Sequence, residues 1–244
     1  MDPVSEPLAT TFLSRADGSA EWLAGSTRII ASVSGPMEVP RRDELPILAT
    51  LEVVVQPDIG VSGTREQALQ EQVRRALIPV VALDMHPRTL IQVVVQIVQA
   101  TADAGVKTRP GIAQAAVDMD VLSGAINVAF LALLDAGVAM RATISACALI
   151  LPSSSSAPPL LNPTTKSLLT SPSPLASAHA IAYEVKGGVV GRLLLCESVG
   201  TFTPTQLFSC LDTAAETCAA TNDTVRALVA RNIAQCSKWA PESS

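Results

Sequence analysis

The side chains able to do chemistry are unevenly spread along this chain. Arg65, Arg74 and Arg75 fall within one amphipathic stretch. Each is a fixed, forked cation suited to an anion. Carboxylates are missing where a general acid or metal ligand would be wanted. After Asp135 the next aspartate is Asp212, and no acidic side chain occurs from Pro152 to Ala182. Serine and threonine hydroxyls fill that stretch, and they titrate too high to replace a carboxylate. Glu184 and Glu197 are the nearest acids and read as solvated faces of a hairpin. His86 and His179 have no partners at metal-ligand spacing, and His86 reads as a turn residue. Gly187-Gly188-Val189-Val190-Gly191 joins two strands, so it is not a dinucleotide loop. There is no Gly-x-Ser-x-Gly elbow and no phosphate loop carrying a lysine. The residues alone therefore name no catalytic set, no metal site and no cofactor.

Composition sets wider bounds. The chain has 244 residues, 48% of them apolar, which is enough for one large α/β domain or two small ones. The net charge of −5 argues against a generally basic nucleic-acid coat but leaves room for a local patch. Aromatic residues make up 3%, too few for base-stacking platforms. No apolar run is expected to reach the length of a membrane span. The N-terminal stretch has a proline and acids rather than a basic, then apolar, signal. Five cysteines show no Cys-x-x-Cys spacing and read as reduced core or helix-face thiols. Both features point to an intracellular protein.

The elements that must position these residues follow from periodicity. Residues 1–11 read as a loose tail. Two strands follow, joined near Gly25-Ser26 and closed at Gly35-Pro36. Thr50–Gln56 is a β-branched strand. Thr64 opens a helix with Gln67 in a capping box, and Leu69, Val73, Leu77 and Val80 form its inner face. Arg74 and Arg75 sit off that stripe. Leu90–Val98 is a strand with two covered faces. Residues 100–121 read as an insertion or irregular loop, and Lys107 and Arg109 in it as solvated. Leu122 to Asp135 is a buried central helix ended by Gly137, with a strand after Met140. Residues 152–178 are Ser/Pro-rich and expected to be mobile, apart from an anchored piece near Leu160–Thr164. His179–Lys186 and Val189–Val199 form a hairpin. Thr203-Pro204 opens a long helix to Lys238, with a tail from 239 to 244.

In this order the pieces resemble an RNase PH-type subunit. The matching stretches are SRADGSAEWLAGSTRIIASVSGP, LATLEVVVQP, HPRTLIQVVVQIV, AINVAFLALLDAGVAMRA and LNPT. The likeness covers roughly residues 12–238 and is strongest to the ribosomal-RNA-processing-protein-46 type of the eukaryotic RNA exosome ring. It implies an α/β (α+β) fold like the second domain of ribosomal protein S5, with mixed sheets packed with helices. It also implies a six-membered ring that threads RNA. The implied partners are other RNase PH-like ring subunits, cap subunits and RNA, the last bound weakly by the chain alone. The implied location is nucleus, nucleolus and cytoplasm.

Active members of that family split RNA with phosphate, using a Gly-Thr-Arg run that opens the central helix and aspartates after the next strand. Here the helix position reads Leu122-Ser123-Gly124-Ala125. The backbone amides are expected to remain, but the forked cation is gone. Arg109 precedes a proline and lies well before the helix, so it is a poor substitute. With the aspartates also missing, the resemblance implies a non-catalytic ring subunit supporting 3′-to-5′ RNA processing. The alternatives are an active phosphorolytic exoribonuclease and an unrelated kinase-like domain. Carried over to RNA contact, the resemblance points to three arginines. Arg75 matches the family arginine facing phosphate, or is a plain exposed helix residue. Arg74 serves a subunit interface or the RNA backbone. Arg65 follows the Gly60–Thr64 loop, which points to the pore neck in related rings.

Overall fold

The structure is a computed structural model that describes residues 6–10, 13–24, 27–99, 112–152, 159–162 and 175–236. A first sheet holds five strands: β1 (Glu6–Thr10), β2 (Gly18–Ala24), β3 (Thr27–Glu38), β4 (Thr50–Gln56) and β5 (Thr89–Gln99). Their spatial order is β1-β2-β3-β5-β4. All pairs are antiparallel except β4 with β5, whose parallel crossover is supplied by helix α1 (Thr64–Leu77). A second, antiparallel sheet is ordered β7-β6-β8-β9, from β6 (Thr143–Pro152), β7 (Leu160–Leu161), β8 (Leu175–Lys186) and β9 (Val189–Gly200). Helix α2 (Ile112–Asp135) lies between the sheets beside α1, and helix α3 (Pro204–Cys236) covers the far side of the second sheet.

The alternation of strand side chains explains these layers. Ile144, Ala146 and Ile150 of β6, with Ala178, Ala180 and Ala182 of β8, join the main core around α2. The intervening Cys147, Leu149, Ile181 and Tyr183 form a second core with Cys210, Ala214 and Cys218 of α3. A sheet covered on both faces loses its polar rows, which is why β6 and β8 read as unbroken apolar runs. Cys147, Cys210 and Cys218 are free, buried thiols, as their core reading required.

Helix α2 is held in place by close backbone approach and by two side chains. A Cβ on Gly18 would lie 2.3 Å from the Ala136 nitrogen, so only glycine lets β2 pass the end of the helix. Ser19 donates its backbone N–H to Asp135 Oδ2 at 2.9 Å. Asn127 binds β6 as a strand would: its Nδ2 donates to the Ala146 carbonyl at 2.8 Å, and its Oδ1 accepts the Ala146 N–H at 2.8 Å. Gly137, at φ +70, ends the helix in the left-handed turn expected of it.

Several expectations are corrected. Residues 112–121 are not irregular but form the first turns of α2; residues 100–111 lie outside the described set. The alanine-rich IAQAAVDMD is a good helix former, and the preceding Pro110-Gly111 masks its start. Within the presumed tail, Glu6–Thr10 is a strand paired with β2. Strand β3 continues through Gly35-Pro36 to Glu38, and β8 starts at Leu175 rather than His179. Leu160–Leu161 pairs with β6, and Asn162 closes the turn at φ +40, with its N–H on the Ala148 carbonyl at 2.8 Å. The remainder of the presumed mobile loop, 153–158 and 163–174, lies outside the described residues. Contrary to the sequence reading, Gln114–Asp135 is long and apolar enough to cross a membrane, yet 89% of that window is buried inside the protein. Cover from two sheets accounts for its hydropathy.

Candidate functional site

The three candidate arginines all project from α1, and each is already engaged. The N-cap of the helix is Gly63, not Thr64; the Gly63 N–H donates to Glu66 Oε2 at 2.8 Å, so Glu66 rather than Gln67 reaches back to close the cap. Arg65, in the first turn, grips Asp118 of α2 through Nε at 2.8 Å and Nη2 at 2.5 Å. Gln114 Nε2 also donates to that Asp118 oxygen, at 3.1 Å. Glu66 lies 3.6 Å away on the other side, so two carboxylates surround one guanidinium. That surplus of negative charge makes Arg65 a tie between α1 and α2 and a poor place for phosphate.

Arg74 and Arg75 share one acid. Arg75 Nε donates to Glu71 Oε1 at 2.9 Å, and Arg74 Nη1 to Glu71 Oε2 at 3.3 Å. The Arg75 bond, with the charge and bond of Arg74 added, holds the Glu71 carboxyl below its ordinary value. Arg74 Nε also donates to the Leu51 carbonyl at 3.2 Å, capping the open edge of β4. The Ser62 hydroxyl does the same for the Val55 carbonyl at 3.1 Å. Arg75 is the most exposed of the three, at 68%, and two cations on one carboxylate leave this turn net positive. By helix rise, Arg65 and Arg75 stand about 15 Å apart along α1, so they form no single pocket. The neighbouring cleft of about 580 Å³ is lined by Arg42 and Arg74 but also by Asp43, Glu52 and Glu71, and so is not an anion pocket.

The presumed phosphate position on α2 differs from expectation. Leu122 is fully buried, and the helix runs unbroken from Ile112 through it. Its amide is a mid-helix donor to the preceding turn rather than a free N-terminal one, so the amides do not remain available there. Ser123 turns its hydroxyl back onto the Asp120 carbonyl at 2.9 Å.

Other chemistry-bearing groups are tied into the fold. Glu184 is buried, not a solvated hairpin face; it receives Lys186 Nζ and Arg192 Nε, each at 2.7 Å. The Arg192 bond, then Lys186, keeps its carboxyl below the usual value. His179 is buried between Ser177 Oγ at Nε2 and Ser198 Oγ at Nδ1, both at 2.8 Å, with Phe202 edge-on at 4.9 Å between centroids. Burial lowers its pKa, so the ring is neutral and serves as a pin between β8 and β9. Both ring nitrogens are taken by serine hydroxyls, so no carboxylate orients the ring. Among the described residues no three His, Cys, Asp or Glu side chains could hold a metal ion. Two participants escaped sequence reasoning. Asp118 lies 53 residues from its partner Arg65, a pairing no local pattern carries. Arg88 sits at φ +63 in the Pro-Arg-Thr turn and pairs with Glu44 at 2.7 Å; its only local signal was the proline before it.

With this geometry in hand, comparison with known proteins is specific. Residues 7–139 match the 3′ exoribonuclease family, domain 1, the RNase PH domain. The Saccharomyces cerevisiae exosome complex component RRP46 is 35% identical over 223 residues, which span 91% of this chain and 93% of that relative. The Schizosaccharomyces pombe exosome complex component rrp46 is 41% identical over 129 residues, 53% of this chain and 50% of that relative. The crystal structure of rice Rrp46 superposes with a TM-score of 0.73 over 93% of this chain and 94% of that one, at 23% identity, and so shares the fold. The mixed two-sheet architecture, the family match and the near full-length kinship converge: the chain belongs to the 3′ exoribonuclease family as an RNase PH-domain protein of the RRP46 type.

Proposed function

We propose that this chain is a non-catalytic subunit of an RNA exosome ring, working through assembly and part of the RNA path in 3′-to-5′ RNA processing and degradation, ribosomal RNA included. Its kinship to exosome components named RRP46 supports the ring role. The observation that carries the catalytic silence is the stretch Leu122-Ser123-Gly124-Ala125, which lies buried in mid-helix where the resemblance puts the phosphate-holding Gly-Thr-Arg run. Neither a cation nor a free amide stands there to stabilise charge on a transferring phosphorus. Partners on this reading are other RNase PH-like ring subunits, cap subunits and RNA, in nucleus, nucleolus and cytoplasm. No cofactor is called for.

RNA contact is assigned to α1. Arg75, exposed and next to Arg74 over a single shared carboxylate, is the residue best placed to meet a phosphate. Arg74 divides its donors between Glu71 and the β4 edge. Arg65 contributes mainly by holding α1 on α2. The test is co-expression with the other ring subunits, size-exclusion chromatography, and RNA binding by the intact rings. Co-elution of the chain in the ring is expected, with RNA affinity lowered by Arg75→Glu. A chain that stays monomeric beside assembled partners would contradict the ring role.

A further inference from the structure

One acidic side chain has no part in the charged surface described above. Asp120 is 1% exposed, on the face of α2 turned towards β2 and β3. Its Oδ2 accepts the Thr27 hydroxyl at 2.9 Å, while its Oδ1 has no partner among the described residues. One turn later on the same face, Gly124 lies against Ile29 and Trp22: a Cβ there would be 2.8 Å from Ile29 Cδ1 and 3.6 Å from Trp22 Cδ1. The Trp22 indole N–H is also buried without a partner. No described charge faces Asp120. Glu21 and Arg28 pair with each other, and alternation puts them on the outer face of β2 and β3, opposite Trp22 and Ile29. Arg65 of α1 is taken by Asp118. An ionised carboxylate holding one hydroxyl bond among apolar side chains is strongly disfavoured, whereas protonation removes the charge and leaves at most one neutral polar atom of the acid unsatisfied.

We propose that Asp120 is carried in the native fold as the neutral acid and acts as a proton-dependent clasp between α2 and the β2–β3 pair, which weakens as pH rises from the acid range towards neutrality. Burial, partly countered by the Thr27 hydroxyl, raises its pKa from the ordinary 3.8 to about 7. The folded state then binds a proton that the unfolded chain has released, so stability is lost as pH rises from about 4 to about 7 and is level above that.

The test is denaturant unfolding of the full chain and of Asp120→Asn, a neutral near-isostere, between pH 5 and 8. Taking the ratio of the two unfolding constants cancels the other titrating groups. The wild-type constant should rise about tenfold relative to the variant between pH 5 and 6 and level off above pH 7. An infrared band of a protonated carboxyl should be present in the folded wild type at pH 5.5 and lost by pH 8.5. If Asp120→Asn fails to fold, that band decides alone. A ratio that is flat across this range, or absence of the band at pH 5.5, overturns the proposal.

Discussion

Helices α1 and α2 lie side by side and treat charge in opposite ways. On α1, Arg65, Arg74 and Arg75 are at least a third exposed and are answered by Asp118 and Glu71 at the surface. On α2, residues 119 to 133 are buried on every side, and the stretch where the resemblance would put a cation-bearing Gly-Thr-Arg run is Leu122-Ser123-Gly124-Ala125. On the proposed reading, the difference teaches how a fold used for phosphate chemistry can shed that chemistry. Once a helix is covered by two sheets, a charge on it needs a partner; an apolar residue needs none, and a lost site would become core. The neighbouring helix faces water and keeps its cations at little cost.

Restoring charge at the sealed position should break this contrast most sharply. Leu122→Arg would bury an unpaired guanidinium and is expected to destabilise the chain by roughly 3–5 kcal/mol or prevent folding. Chemical denaturation, or the soluble yield, reads this directly; a variant as stable as the parent would show that α2 is not sealed. Asn127→Ala leaves the Ala146 N–H and carbonyl buried without their partner, for a loss of about 2–4 kcal/mol. Arg65→Ala, by contrast, should cost under about 1 kcal/mol, because a partly exposed pair is screened by solvent. Its unfolding midpoint should therefore stay close to the parent's, and a loss as large as that of Asn127→Ala would erase the distinction between the two helices. Arg75→Glu should leave the ring intact and flatten the salt dependence of RNA binding by roughly 0.7 in log–log slope for a lost single-strand phosphate contact. An unchanged slope would remove Arg75 from the RNA path.

Much of this was readable wherever local rules decide the structure. TLEVVVQ is β4 from end to end, Gly187-Gly188 is the hairpin turn, and Thr203-Pro204 starts α3. The reading failed where cover from elsewhere decides. Glu184 looked like a surface acid because alternation assumes one wet face, and β8 has none over Ser177–Val185. The early turns of α2 hid behind Pro110-Gly111 and mixed charge, although Ala116, Met119 and Asp120 recur at helical spacing and are all buried. Asp120 falls within the 100–121 stretch read as an insertion or irregular loop, so its burial was not visible there. The arginines were found from sequence, but their ties were not, since Arg65 and Asp118 meet only when α1 lies against α2.

The most direct test of catalytic silence uses the purified chain with single-stranded RNA, inorganic phosphate and Mg²⁺, following nucleoside diphosphates. A sealed α2 without a phosphate-holding cation predicts no release above a protein-free control. Release above that control, abolished by Arg75→Ala, would contradict the account and make the α1 arginines part of an active phosphorolytic site.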